Sequence, residues 1–256
     1  MKLNNKIPNV FHYIWIGEQP QPDCMKQNIA RLKKMYPTFE IKIWTEKELD
    51  INECKYAKLA YKLKKYAFVS DYFRTKILYE EGGIYLDVDM EPLQDIFDSL
   101  FTHKLILGFE YSKLVGTGII AAAPKQDLVK YVLDFYLKFD KLTDKNFDFP
   151  INNIIWTWLL YKQYNLKLND HNQELRQGIK IFNHNVFSCL KPNKNSRFIH
   201  NHNLSWTTNL FKIFWCLWTL RFVQKFQIIL SPILMSVTRS WFRDQERLLK
   251  YLNKIN

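Results

Sequence analysis

Between Val10 and Asp89 the spacing of apolar residues switches back and forth between that of a strand and that of a helix, and this alternation limits the fold more than any other feature. VFHYIWIG reads as a strand, Asp23 to Tyr36 as an amphipathic helix, EIKIW as a second strand and Glu53 to Lys65 as a second helix. Pro8, Pro20, Pro22 and Pro37 fall between these elements, where a missing backbone donor is tolerated. Such a chain builds a parallel or mixed sheet covered by helices, the α/β class. Val69, Phe73 and Ile77 form the apolar stripe of the next helix, and Gly82 is placed to end it in a left-handed conformation. A strand over Ile84 to Asp87 follows. LILGFE and GIIAAA supply two more, Gln126 to Phe139 and Ile154 to Tyr161 read as helices, and beyond Lys162 the pattern weakens. A chain of 256 residues can bury a full core without disulfides. Cys24, Cys54, Cys189 and Cys216 form no CxxC pair, which points to reduced thiols rather than a zinc site or disulfide framework.

The strand after Gly82-Gly83 ends in two aspartates separated by one valine, in the run EEGGIYLDVDMEP. Side chains alternate faces along a strand, so Asp87 and Asp89 point the same way while Val88 points to the other side. Two carboxylates held so close repel unless a cation lies beside them. Oxygen ligands of this kind suit Mg²⁺ or Mn²⁺, which keep positions open for phosphate oxygens. In open α/β sheets ligands gather at the carboxyl ends of strands, and this pair occupies such an end. A three-residue DxD alone is more often a surface turn, but its context adds weight: Asp71 and Arg74 lie three apart on the preceding helix, on one face. The plain reading of that second pair is a surface ion pair.

SDYFR followed by EEGGIYLDVDMEP, preceded by IPNVFHYIWIG at the matching distance, resembles the DxD-containing sugar transferases of glycosyltransferase family 32, relatives of the large clostridial glucosylating toxins. The similarity runs over about Ile7 to Pro92 and thins towards Phe139, and FIHNHNLSW at Phe198 to Trp206 looks like the family's IHHWxxSW ending. The resemblance implies a GT-A fold, a single Rossmann-like nucleotide-sugar-binding domain over residues 1–206, and a retaining, metal-dependent transfer from a nucleotide sugar, a UDP-sugar by preference, to a glycan or lipid-linked glycan in bacterial capsule or lipopolysaccharide synthesis. It makes Trp15 a partner of the nucleotide base, Asp71, Arg74, Tyr85 and Asp87 donor-binding residues, and Asp89 a direct ligand of Mn²⁺ or Mg²⁺. Asp87, Asp89 and Arg74 become the catalytic set. His200 would complete the metal shell, and Ser205 with Trp206 would reach the diphosphate. The family's second histidine and tryptophan are replaced by Asn201 and His202, so the ligand from this block is His200, His202 or an Asn carbonyl. Acceptor-selecting residues are expected in Lys113 to Gly118, Asp148 to Trp158 and the tail. Asn152 and Asn153 face the sugar or, as the plainer reading, serve a turn and helix cap.

Formal net charge is +12, and Thr207 to Asn256 carries eight basic against two acidic residues, half of that excess. The tail, 207–256, is also rich in aromatics, and its longest uncharged run, Phe226 to Thr238, is too short for a spanning helix of about 20 residues. A basic, aromatic helical extension of this kind suits the headgroup layer of an anionic membrane, or else packs on the domain. The opening MKLNNKIPNV lacks the apolar run of a signal peptide, so a cytoplasmic chain, peripheral on the inner face of the cell membrane, is expected. Three competing functions are a toxin-like glycosyltransferase acting on proteins, a nucleotide-sugar phosphohydrolase and a basic nucleic-acid binder. The last is disfavoured because the charge sits in an aliphatic-rich tail and the strongest motif is acidic, so no nucleic-acid partner is expected.

Overall fold

In a computed structural model the described residues are 6–96, 102–110, 114–138, 149, 151–189 and 191–201. The chain divides into two compact units, Met1–Asn203 and Leu204–Asn256, and all described residues belong to the first. His202, Ser205, Trp206 and the whole basic tail therefore lie outside the described residues.

The elements are β1 Val10–Ile14, α1 Asp23–Met35, β2 Glu40–Trp44, α2 Lys55–Lys62, α3 Tyr66–Glu80, β3 Gly83–Leu86, β4 Met90–Pro92, β5 Leu105–Phe109, β6 Val115–Ala122, α4 Asp127–Lys138, α5 Asn152–Tyr164, β7 Gln173–Leu175, β8 Ile179–Phe182, α6 His184–Phe187 and β9 Phe198–His200. Seven strands form one mixed sheet in the order β2-β1-β3-β6-β5-β8-β7, and β4 pairs with β9 in a separate two-stranded ribbon. β1 runs parallel to β2 and β3, whereas β6 is antiparallel to both its neighbours, β3 and β5. All residues of β1, β3, β5 and β6 are buried, as strands covered by helices on both faces must be. Alternate residues of β6 feed different cores. Ile120 and Ala122 join α2 to α5, while Ile119 and Ala121 join Phe11, Tyr13 and the α1 residues Met25 and Leu32.

The helix read from Glu53 to Lys65 is shorter at both ends, spanning Lys55–Lys62. Lys64 takes a positive φ of 55°, which ends α2 and turns the chain into α3. The strand read as GIIAAA begins earlier, because Gly116 belongs to β6 although it carries no side chain to mark it.

The Gly82-Gly83 doublet is a requirement of the fold. Gly82, at φ 71°, gives its N–H to the Leu78 carbonyl at 3.1 Å and closes α3, as the sequence predicts. Gly83 has φ 100°, and a Cβ there would lie 2.6 Å from both His12 Nε2 and Val10 Cγ1. His12 has no exposed surface. Its Nδ1 accepts from the Trp44 indole at 3.1 Å, and because an indole nitrogen only donates, Nε2 carries the proton and gives it to the Gly82 carbonyl at 2.9 Å. This neutral imidazole ties β1, β2 and the α3–β3 turn together. Burial, outweighing the Gly82 hydrogen bond, lowers its pKa from 6.5 to about 4.

Candidate functional site

Asp71 and Arg74 are not a surface pair. They are 8% and 5% exposed, on the face of α3 that meets the sheet, with Arg74 Nη2 3.1 Å from Asp71 Oδ1 and 3.2 Å from Asp87 Oδ1. Arg74 also donates through Nη1 to the Thr117 carbonyl at 2.8 Å, through Nη2 to Ser70 Oγ at 3.0 Å and through Nε to the Ser70 carbonyl at 3.3 Å. Its guanidinium lies over the Tyr85 ring, 4.4 Å from the centroid, and the Tyr85 hydroxyl meets Ser70 Oγ at 2.9 Å and donates to Asp87 Oδ1 at 2.7 Å. Burial works against charge on Arg74, but Asp87, Tyr85 and Asp71 more than offset it and hold the guanidinium charged. Burial also raises Asp71 from 3.8 to about 6, with Arg74 opposing the rise and Asp87 adding to it. Asn152 Nδ2 donates to Asp71 Oδ1 at 3.1 Å, and the Tyr136 hydroxyl donates to Asn152 Oδ1 at 2.8 Å.

The two aspartates of the DxD meet by a different route from strand alternation. β3 stops at Leu86, and Asp87 to Met90 form a turn in which the Met90 N–H donates to the Asp87 carbonyl at 3.0 Å. Asp87 keeps the face of Tyr85, whereas Asp89 is turned in by the entry into β4. Asn28 of α1, 3% exposed, holds the turn through a 3.1 Å hydrogen bond to the Val88 carbonyl.

The β4–β9 ribbon brings the far end of the described chain to this turn. Met90 pairs with His200, and the Asn201 N–H donates to the Asp89 carbonyl at 3.2 Å. His200 Nε2 lies 3.5 Å from Asp89 Oδ1, and its Nδ1 lies 3.6 Å from Glu110 Oε1. One ligand atom from each of Asp87, Asp89 and His200 falls within 4.8 Å of the others, a grouping that could hold a metal ion. Gly118, opposite the end of β3, makes the close approach possible: a Cβ there would stand 3.0 Å from His200 Cε1 and 3.2 Å from Asp87 Oδ2. Two carboxylate oxygens and an imidazole nitrogen fit a divalent cation of the Mn²⁺ or Mg²⁺ kind. Burial lowers the pKa of His200, but the Asp89 and Glu110 carboxylates win and raise it from 6.5 to about 10. The negative field that holds a proton there would equally draw a cation, and a ligating Nε2 must give its proton up.

Trp15 follows β1 at the same carboxyl edge, since the register pairing His12 with Tyr85 sets Ile14 beside Asp87. Its indole N–H donates to the Gln19 carbonyl at 2.7 Å. The structure thus gathers Asp71, Arg74, Tyr85, Asp87, Asp89 and His200 directly, with Trp15 on the same rim. Asn152 and Asn153 are the first two residues of α5, whose cap is Ile151, so neither caps it. Asn153 bridges the Thr117 hydroxyl at 2.6 Å and Glu110 Oε2 at 2.9 Å. Glu110 and Thr117 had no individual signal in sequence beyond their polarity.

Residues 22–107 match the family model described as the glycosyltransferase sugar-binding region containing DXD motif. Over those residues the chain is similar to the sugar-binding region of the DXD glycosyltransferases. A protein of Acanthamoeba polyphaga mimivirus, described as an uncharacterized glycosyltransferase, is 27% identical over 135 residues, covering 49% of this chain and 54% of its own length. The chain thus spans about half of that relative. Among solved structures, the PaToxG glycosyltransferase superposes with a TM-score of 0.52 at 20% identity, covering 62% of this chain and 70% of that one. A glycosyltransferase involved in glycosylation of the major capsid of PBCV-1 gives 0.40 at 11% identity, over 75% of this chain and 93% of that one. The fold is of the GT-A type. The matched residues end before β6, so His200, Glu110 and Asn152 lie outside them, and of these Glu110 was joined to the DXD by the fold alone.

Proposed function

We propose that this chain is a DXD glycosyltransferase that moves a sugar from a nucleotide-sugar donor to a hydroxyl of a glycan, with retention of anomeric configuration. The observation that supports it most is the convergence of Asp87, Asp89 and His200 on one point beside the buried Arg74 cluster. Asp71, Asp87, Asp89 and Glu110 outnumber the Arg74 guanidinium, so the site has an excess of negative charge suited to a divalent cation. When bound, Mn²⁺ or Mg²⁺ supplies positive charge to the diphosphate as the sugar–phosphate bond breaks. Arg74 acts from behind, neutralising Asp71 and Asp87, fixing their orientation and extending the positive field towards the leaving group. Asp71, held by Asn152, accepts hydrogen bonds from donor hydroxyls, and Trp15 offers a π face to the base.

A lipid-borne surface glycan, as in bacterial capsule or lipopolysaccharide synthesis, is the acceptor this reading favours, because the basic aromatic tail suits an anionic membrane surface. Among the described residues, no helix is long and apolar enough to cross a membrane.

Turnover of UDP- and GDP-sugars with Mn²⁺, comparing the wild type with Asp89→Ala, tests the site. Metal-dependent turnover that vanishes in the variant supports it. Full metal-dependent turnover by Asp89→Ala would overturn it.

A further inference from the structure

We infer that Glu110 is a positioning residue for the cation site, holding the His200 ring so that Nε2 faces the DxD aspartates. This rests on the reading of Asp87, Asp89 and His200 as cation ligands. The two carboxylates flank the ring at different nitrogens, with Asp89 Oδ1 3.5 Å from Nε2 and Glu110 Oε1 3.6 Å from Nδ1. Only one ring nitrogen can serve an ion shared with the aspartates, and it is the one facing Asp89. Glu110 therefore stands behind the ligand, where a carboxylate fixes the tautomer and makes the ligating nitrogen more basic.

Glu110 is itself held in place. Its N–H donates to the Leu114 carbonyl at 2.7 Å, which sets it immediately past β5 on the way into β6. Oε2 accepts from Asn153 Nδ2 at 2.9 Å, and Asn153 Oδ1 accepts from the Thr117 hydroxyl at 2.6 Å. Asn153 is anchored in turn, because the Thr157 hydroxyl donates to its carbonyl at 2.6 Å and accepts the Val115 N–H at 2.8 Å. Gly116 leaves the lane open: a Cβ there would stand 2.8 Å from Glu110 Cγ. The Thr117 carbonyl accepts from Arg74 at 2.8 Å, so one strand supports both the cation site and the Arg74 cluster.

The test is a Mn²⁺ titration of the full chain without nucleotide, followed by electron paramagnetic resonance. It compares the wild type with Asp89→Asn, Glu110→Gln, His200→Ala and the Glu110→Gln/His200→Ala double variant. Glutamine keeps the length of the side chain and an oxygen for Asn153, so thermal melting of Glu110→Gln should match the wild type. Its Mn²⁺ affinity should fall about 10- to 100-fold. Because Glu110 acts through the ring, the same substitution should cost little further in the His200→Ala background. Unchanged affinity in Glu110→Gln, or an equal loss with and without His200, would overturn the inference while Asp89→Asn still loses the ion. A wild type that takes up no Mn²⁺ would instead overturn the cation site itself, and this inference with it.

Discussion

Lowering the pH from neutral to about 4 should destabilise this fold through His12. The folded state holds the imidazole at a pKa of about 4, against 6.5 when unfolded, because the ring is fully buried, which outweighs the hydrogen bond to the Gly82 carbonyl, and Nδ1 already accepts from Trp44. A proton on Nδ1 would point at the indole N–H, donor against donor. Below pH 6.5 the unfolded chain therefore binds a proton that the folded chain refuses. The stabilisation is fully present above that pH, declines through the window, and is lost by about pH 4. A difference of this size, at about 1.36 kcal/mol per pH unit, corresponds to about 3 kcal/mol. Urea unfolding at a series of pH values, for wild type and His12→Gln, isolates the effect. Glutamine can donate to Gly82 and accept from Trp44 but does not titrate, and every other titrating group is common to both proteins. The stability difference between them should shrink by about 3 kcal/mol from pH 7 to pH 4. Parallel pH profiles would refute the argument.

Asp71 titrates in the opposite sense. Its folded pKa of about 6 lies above the ordinary 3.8, so its ionised form destabilises the fold increasingly as pH rises through that window. Asp71→Asn should gain up to about 3 kcal/mol at pH 7 in urea unfolding while losing most transferase activity, and a destabilised variant would contradict this. Gly83→Ala meets backbone strain and the His12 ring together, so a loss of at least about 2 kcal/mol is expected, and a melt within error of wild type would sink the close-approach argument. Deleting Asn209 to Asn256 should abolish binding to vesicles of anionic lipid in a flotation assay, and undiminished flotation would remove the tail from the membrane reading.

The helical stripe of α3, its end at Gly82 and the short DxD strand were legible because each depends on local periodicity and backbone freedom. Burial of Asp71 and Arg74 was less so. An i, i+3 charged pair on a helix resembles a surface pair until the sheet is packed against it. Asn153 passed for a capping residue because its two partners, Thr117 and Glu110, come from β6 and the end of β5. The strand register of Asp89 was misread because the chain turns after Asp87, a turn held by Asn28 of α1, far away in the chain. Gly116 hid the start of β6, since a residue present for the space it leaves carries no apolar signal.

The sequence by itself determined the α/β class, the carboxyl-edge aspartates and their pairing with a charged helix, because period, turn chemistry and ion-pair pitch act over a few residues. Only the tertiary structure placed the His200 ring between the Asp89 and Glu110 carboxylates. Those contacts join β4 to β9 and β5 to α5, and a long-range meeting of two polar residues leaves no trace in the spacing of either.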